Sequence, residues 1–145
     1  KLYLQFLFET LKPYVDKKFR VYTDAAHTGI GGSSMGGLIS LYAGMAHPEV
    51  FGRMMIFSPS LWIAPPIYKL ATQYKPEVHS KLYLYAGEKE SKNHIGNVME
   101  LKNVFLKRRF YPYHMKFKIS VNPEGTHKES FWRAEFPTAI KWLYY

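Results

Sequence analysis

"GGSSMGG", residues 31–37, sets four glycines and two serines around one methionine, directly before a helical stretch. Glycine inside a helix or strand costs up to about 1 kcal/mol relative to alanine, so such a cluster needs a reason. Either it is a flexible loop, or it is a turn so tight that nothing larger fits. The flanking residues decide between these. "HTGIGG" leads in as a short apolar run, and "MGGLISLYAGMAH" leads out as a helix that stops before Pro48. The cluster therefore joins a strand to a helix.

Outward from that turn the same alternation continues. Upstream, Leu4, Leu7, Phe8, Leu11 and Val15 recur at helical spacing, so residues 2–19 read as a helix, bent or restarted at Pro13. Downstream, "RMMIFS" (53–58) reads as a short buried strand and "SPSLWIAPP" as a loop. "IYKLATQY" suits a helix, and "KLYLYAG" (81–87) alternates like a strand. Residues 93–109 carry Val98, Leu101 and Phe105 on one helical face. "YHMKFKISV" alternates again, and residues 130–144 close with Trp132, Phe136, Ile140 and Leu143 at helical spacing. Strand and helix in turn imply parallel strands with helices on their faces, an α/β fold with four strands.

Composition bounds the possibilities. The chain has 145 residues, 47% of them apolar, enough for one domain over 1–145 with its own core. No apolar run approaches the roughly 20 residues that span a bilayer, so no membrane segment is read. "KLYLQFLFETLKPYV" lacks a small-residue cleavage site, so no secretory leader is read either. The absence of cysteine rules out disulfides and thiolate metal sites and suits a reducing or an oxidising compartment. A net charge of +9 raises nucleic-acid binding as a function. The charges are dispersed and no recognition motif accompanies them, so a solubilising surface accounts for them better.

"G-S-S-M-G" (32–36) fits G-x-S-x-G with Ser34 at its centre. In a nucleophile elbow the serine occupies a strained strand-to-helix turn, so the residues two before and two after are expected to lack side chains. The hydroxyl then stands clear of the sheet, with the helix N-terminus beneath any developing negative charge. A phosphate-binding turn is the rival reading, but neither G-x-G-x-x-G nor a GK[ST] ending is present.

Hydrolase triads on such a fold run serine, acid, histidine along the chain, at loops after successive strands. Of six histidines, His27 precedes the serine, His47 ends the elbow helix, and His79 and His114 stand before strands at the opposite edge. His94 lies at a helix start. His127, in "NPEGTHKESFW", follows the last strand, where a general base belongs. Both aspartates, Asp16 and Asp24, precede Ser34, so the acid is expected to be a glutamate. "YAGEKES" offers Glu88 and Glu90; three residues past the strand-ending glycine, Glu90 reaches back best, with Glu88 and Glu124 as alternatives. Trp62, after "SPS", is either a wall of the substrate pocket or a core tryptophan. Lys89, Lys92 and Lys128 flank these loops and would favour an anionic or phenolic ester, unless they merely solvate them.

"FETLKPYVDKKFRV", "IGGSSMGGLISLYAGMAHPEVFGRMMIFSPSLW", "LYAGEKES" and "GTHKESFWRAEFPTAIKWL" together resemble the putative esterase family of α/β hydrolases. That family includes enterochelin-type esterases, S-formylglutathione hydrolase, feruloyl and acetyl-xylan esterases and mycolyltransferases. The resemblance implies Ser34 as nucleophile, Glu90 as acid, His127 as base and the Met35 amide as oxyanion donor, with no metal or cofactor. It implies a small-molecule ester as substrate rather than nucleic acid or membrane. Lys128 departs from the asparagine or aspartate frequent in the family after the histidine. The family's domain is also longer at the front, where roughly eight strands are expected against four here. The chain thus resembles the C-terminal part of an esterase, with a second oxyanion donor expected from a preceding segment or a second chain.

Overall fold

Along β2 (Arg53–Phe57) and β3 (Ser80–Gly87), successive side chains bury into opposite faces of one sheet. Met54, Ile56, Leu82 and Leu84 face one layer, while Phe57, Tyr83 and Tyr85 face the other. A strand apolar on both faces has to be covered on both, which is the condition of a parallel sheet. The computed structural model describes residues 2–107 and 114–145, and in it β1 (Gly29–Ser33), β2, β3 and β4 (Met115–Asn122) lie in that order, all parallel. Ile56 pairs with Gly32 on one side and with Leu84 on the other, and Leu84 pairs with Ile119.

Helices supply both covers. α3 (Met35–Ala46), α4 (Pro66–Gln73) and α5 (His94–Leu106) pack Leu38, Leu41, Ile67, Val98, Leu101 and Phe105 onto the first face. α6 (Glu129–Tyr144) lays Trp132, Ala139 and Leu143 on the second. Each fully buried leucine or phenylalanine contributes about 1.5–3 kcal/mol, so the two layers fix the sheet firmly.

The N-terminal helix differs in detail from its sequence pattern. α1 (Leu2–Gln5) runs into a π-helical stretch, Phe6–Leu11, before α2 (Lys12–Lys18) begins. The Lys12 amide donates to Leu7 O, five residues back, and Pro13 follows with no amide to continue the α register. The irregularity thus falls before the proline rather than at it. The stretch expected as plain loop after β2 contains a turn of 3₁₀ helix, Leu61–Ile63, pinned by buried Leu61. The expected helix end at 108–109 and the strand start at Tyr113 lie outside the described residues. Among the described residues no helix is long and apolar enough to cross a membrane.

Candidate active site

The site forms where the strands end. Ser34 follows β1 and is the residue before α3, with φ 56° and ψ −119°, a backbone geometry that non-glycine residues avoid. Its amide donates to Phe57 O at 2.9 Å, and its carbonyl accepts from the amides of Leu38 and Ser60. Close packing enforces the turn from one side only. A Cβ on Gly32 would stand 2.6 Å from the Gly36 carbonyl carbon, whereas a Cβ on Gly36 would meet nothing within 4 Å. The expectation that both flanking glycines are sterically required is corrected here: Gly32 has no room, and Gly36 has.

The other two loops are held together by glycines. A Cβ on Gly87 would stand 2.3 Å from Gly125 O, so the loop after β3 and the loop after β4 touch backbone to backbone. The Lys89 amide donates to Gly125 O and the Glu88 amide to Asn122 O, closing the seam. Glu90 then turns inward with its side chain only 2% exposed.

Ser34, Glu90 and His127 come together. His127 Nε2 lies 2.9 Å from Ser34 Oγ, and His127 Nδ1 lies 2.7 Å from Glu90 Oε2. Glu90 Oε1 accepts from the Gly87 amide at 2.7 Å and from Ser58 Oγ at 2.6 Å. Glu88 and Glu124, the alternatives for the acid, lie elsewhere: Glu124 pairs with Lys89 in the open. The His127 ring stands edge-on to Trp132 at 4.9 Å between centroids. Met35 occupies the first position of α3, where an amide has no partner within the helix, so it is free to meet an anion. Trp62 is 71% exposed and lines the cleft, which removes the core reading for it.

Three residues in this cleft carry no sequence signal strong enough to single them out. Ser58, buried at φ 44°, donates to Glu90 and accepts from Trp132 Nε1 at 2.9 Å. Ser60 Oγ lies 3.3 Å from Ser34 Oγ. Buried His94 has Nε2 3.3 Å from Glu90 Oε2, without hydrogen-bond alignment, and its pKa is lowered mainly by burial. Only the strand-end position of "SPS" hinted at Ser58 and Ser60, and nothing hinted at His94. The cleft holds about 270 Å³. Among the described residues no cluster of three or more His, Asp or Glu side chains could hold a metal ion.

Residues 1–143 match the family model described as "Putative esterase". The chain belongs to the putative esterase family. This family member is 24% identical over 152 residues to the uncharacterized protein YjcH of Bacillus subtilis (strain 168), covering 96% of the chain and 58% of the relative. With YbbA of the same organism it shares 21% identity, covering 98% of the chain and 59% of the relative. The chain therefore spans less than two thirds of the length of these relatives. Among solved structures, the enterobactin esterase FES from Shigella flexneri superposes with a TM-score of 0.82 at 22% identity, covering 98% of this chain and 36% of that one. The S-formylglutathione hydrolase FrmB from Staphylococcus aureus gives 0.70 at 16%, covering 99% and 64%. These likenesses show the α/β-hydrolase-like fold.

Proposed function

We propose that the chain carries the catalytic triad of a serine esterase, with Ser34 as nucleophile, His127 as general base and Glu90 as the acid that orients it. The unbroken line from Ser34 Oγ through both nitrogens of His127 to Glu90 Oε2 is the observation that carries this reading. His127 Nε2 takes the Ser34 proton as Oγ attacks the ester carbonyl. Glu90 at Nδ1 fixes the tautomer and stabilises the imidazolium that forms. The oxyanion meets the Met35 amide, and a second donor comes from chain outside residues 1–145. The tetrahedral intermediate collapses to the acyl-enzyme, and the alcohol departs with the proton held on His127. Water then repeats the sequence and frees the acid and Ser34.

One missing oxyanion donor lowers the rate by about 10²–10³, so slow turnover by residues 1–145 alone agrees with the mechanism. The test is hydrolysis of p-nitrophenyl acetate together with labelling by a fluorophosphonate. Ser34→Ala should lower kcat by about 10³ or more and abolish the label, read by intact mass. Glu90→Gln should lower kcat further than Glu88→Gln does. A chain that neither hydrolyses the ester nor takes the label would be an esterase-like binding domain instead.

A further inference from the structure

Four apolar residues of α3, Met35, Leu38, Ile39 and Tyr42, stand at the i, i+3, i+4, i+7 spacing of a single helical face. That face is not fully covered: Met35 is 54% exposed and Tyr42 is exposed as well. It forms one wall of a groove of about 660 Å³ whose other wall is α4, through Ile67 and Leu70. The volume and the apolar lining are those of small-molecule sites. Lys69 is the one charged residue in the lining.

The groove reaches the residue after the nucleophile. Met35 directly follows Ser34 and is the proposed oxyanion donor, and Ala64 and Pro66 line the groove from the start of α4. The groove shares no lining residue with the cleft that holds His127. This separation sorts the two halves of an ester. The alcohol has to leave beside His127, which protonates it, so it occupies the small polar cleft under Trp62. The acyl substituent points away from His127. Of the two apolar spaces next to Ser34, the one lined by Gly32, Ser33 and Trp132 lies on the side of His127's neighbour Trp132, and the α3–α4 groove opens from Met35.

We propose, on the esterase reading above, that this groove binds the acyl chain of the substrate and that the substrate class is an ester of an aliphatic acid of medium length. From Met35 to Tyr42 the helix rises about 10 Å. An extended chain of about eight carbons, with bonds of about 1.5 Å in zigzag, has that length. Each methylene buried there should raise kcat/KM by roughly fourfold if burial were complete, and less along an open groove.

The experiment compares kcat/KM for p-nitrophenyl acetate, butyrate and octanoate, kept below micelle formation. The octanoyl ester should exceed the acetyl ester at least tenfold, and Leu70→Arg, which puts a charge into the groove wall, should lower that ratio at least fivefold. A second measurement needs no turnover: with methyl-¹³C methionine, the Met35 signal (assigned through Met35→Leu) should shift with sodium octanoate and not with acetate. Leu70→Arg should remove the shift. Acetyl ester hydrolysed with a flat chain-length series would overturn the groove and leave the triad standing. Neither hydrolysis nor fluorophosphonate labelling, together with a Met35 shift, would keep the groove as a fatty-acyl site and overturn the triad. An unmoved Met35 signal would overturn the groove, as expected if another chain segment or a second copy fills it.

Discussion

Ser58 sits at positive φ, fully buried, with its hydroxyl shared between Glu90 Oε1 and Trp132 Nε1. Strain of this kind costs of order 1–3 kcal/mol and persists only where surrounding bonds over-determine it. Ser58→Ala deprives Glu90 of one of its donors and leaves a buried indole N–H without an acceptor. The expected loss is about 1–3 kcal/mol in urea denaturation, with slower ester turnover. Adding Trp132→Phe removes the orphaned donor, so the double variant should regain part of that stability; no recovery would mean the indole bond is immaterial. His94 makes a different prediction. It faces Glu90 and His127, and burial lowers its pKa beneath the ordinary 6.5 despite the attraction of Glu90. The unfolded chain therefore takes up a proton at a pH where the folded one does not. His94 thus leaves stability intact above about 6.5, and stability falls as pH drops from there toward the folded pKa. Urea midpoints between pH 7.5 and 5.5 should fall less for His94→Gln than for the parent, and equal slopes would refute the assignment. Ser34, Glu90 and His127 were legible because their order and strand-end positions are one-dimensional facts. Ser58 and His94 were not, because their roles depend on which loops the sheet brings into contact.

At the scale of elements, the strand–turn–helix around Ser34 was readable from composition, but the reason for each glycine was not. Gly32 faces backbone that cannot move, while Gly36 faces open space. Gly32→Ala should therefore disrupt the elbow and with it activity. Gly36→Ala, in the first turn of α3, should raise stability by about 0.5–1 kcal/mol through its helix propensity. Thermal unfolding of the two variants checks this, and a destabilised Gly36→Ala would mean the site is closed by contacts not present here. Periodicity found β2, β3 and β4 through their apolar faces, while β1, with Ile30 its one apolar side chain, was found as the run leading into the glycine turn. It missed the π turn because that register is set by a missing amide at Pro13 rather than by any apolar spacing. It also missed the seam between Gly87, the last residue of β3, and Gly125 in the loop after β4, 38 residues apart, which look like ordinary turn residues until the strands are paired.

For the whole molecule, the sequence states a charge of +9 but not where it lies. Folding gathers three of the basic residues away from the cleft. Arg53, Lys81 and Lys116 are register partners across β2, β3 and β4, near the ends of the strands opposite Ser34. Lys81 shows the crowding: its pKa is lowered first by burial and then by Arg53 and Lys116. Of the three lysines near the catalytic loops, Lys89 is engaged by Glu124. Lys92 and Lys128 remain exposed at the cleft's loops and are the charges that could draw in an anionic leaving group. Such a field reaches only about 10 Å at 0.1 M salt, so its effect belongs to capture rather than to the chemical step. An ester with an anionic alcohol should lose kcat/KM steeply between about 0.02 and 0.5 M salt, while a neutral ester of equal size should not. The double variant Lys92→Gln, Lys128→Gln should flatten that dependence and leave kcat within about twofold, because neither ammonium group is a hydrogen-bond or ion-pair partner of Ser34, His127 or Glu90. Equal salt dependence for the two esters would assign both lysines to solvating their loops, and the selectivity of the site would then rest on the shape and polarity of its two pockets alone.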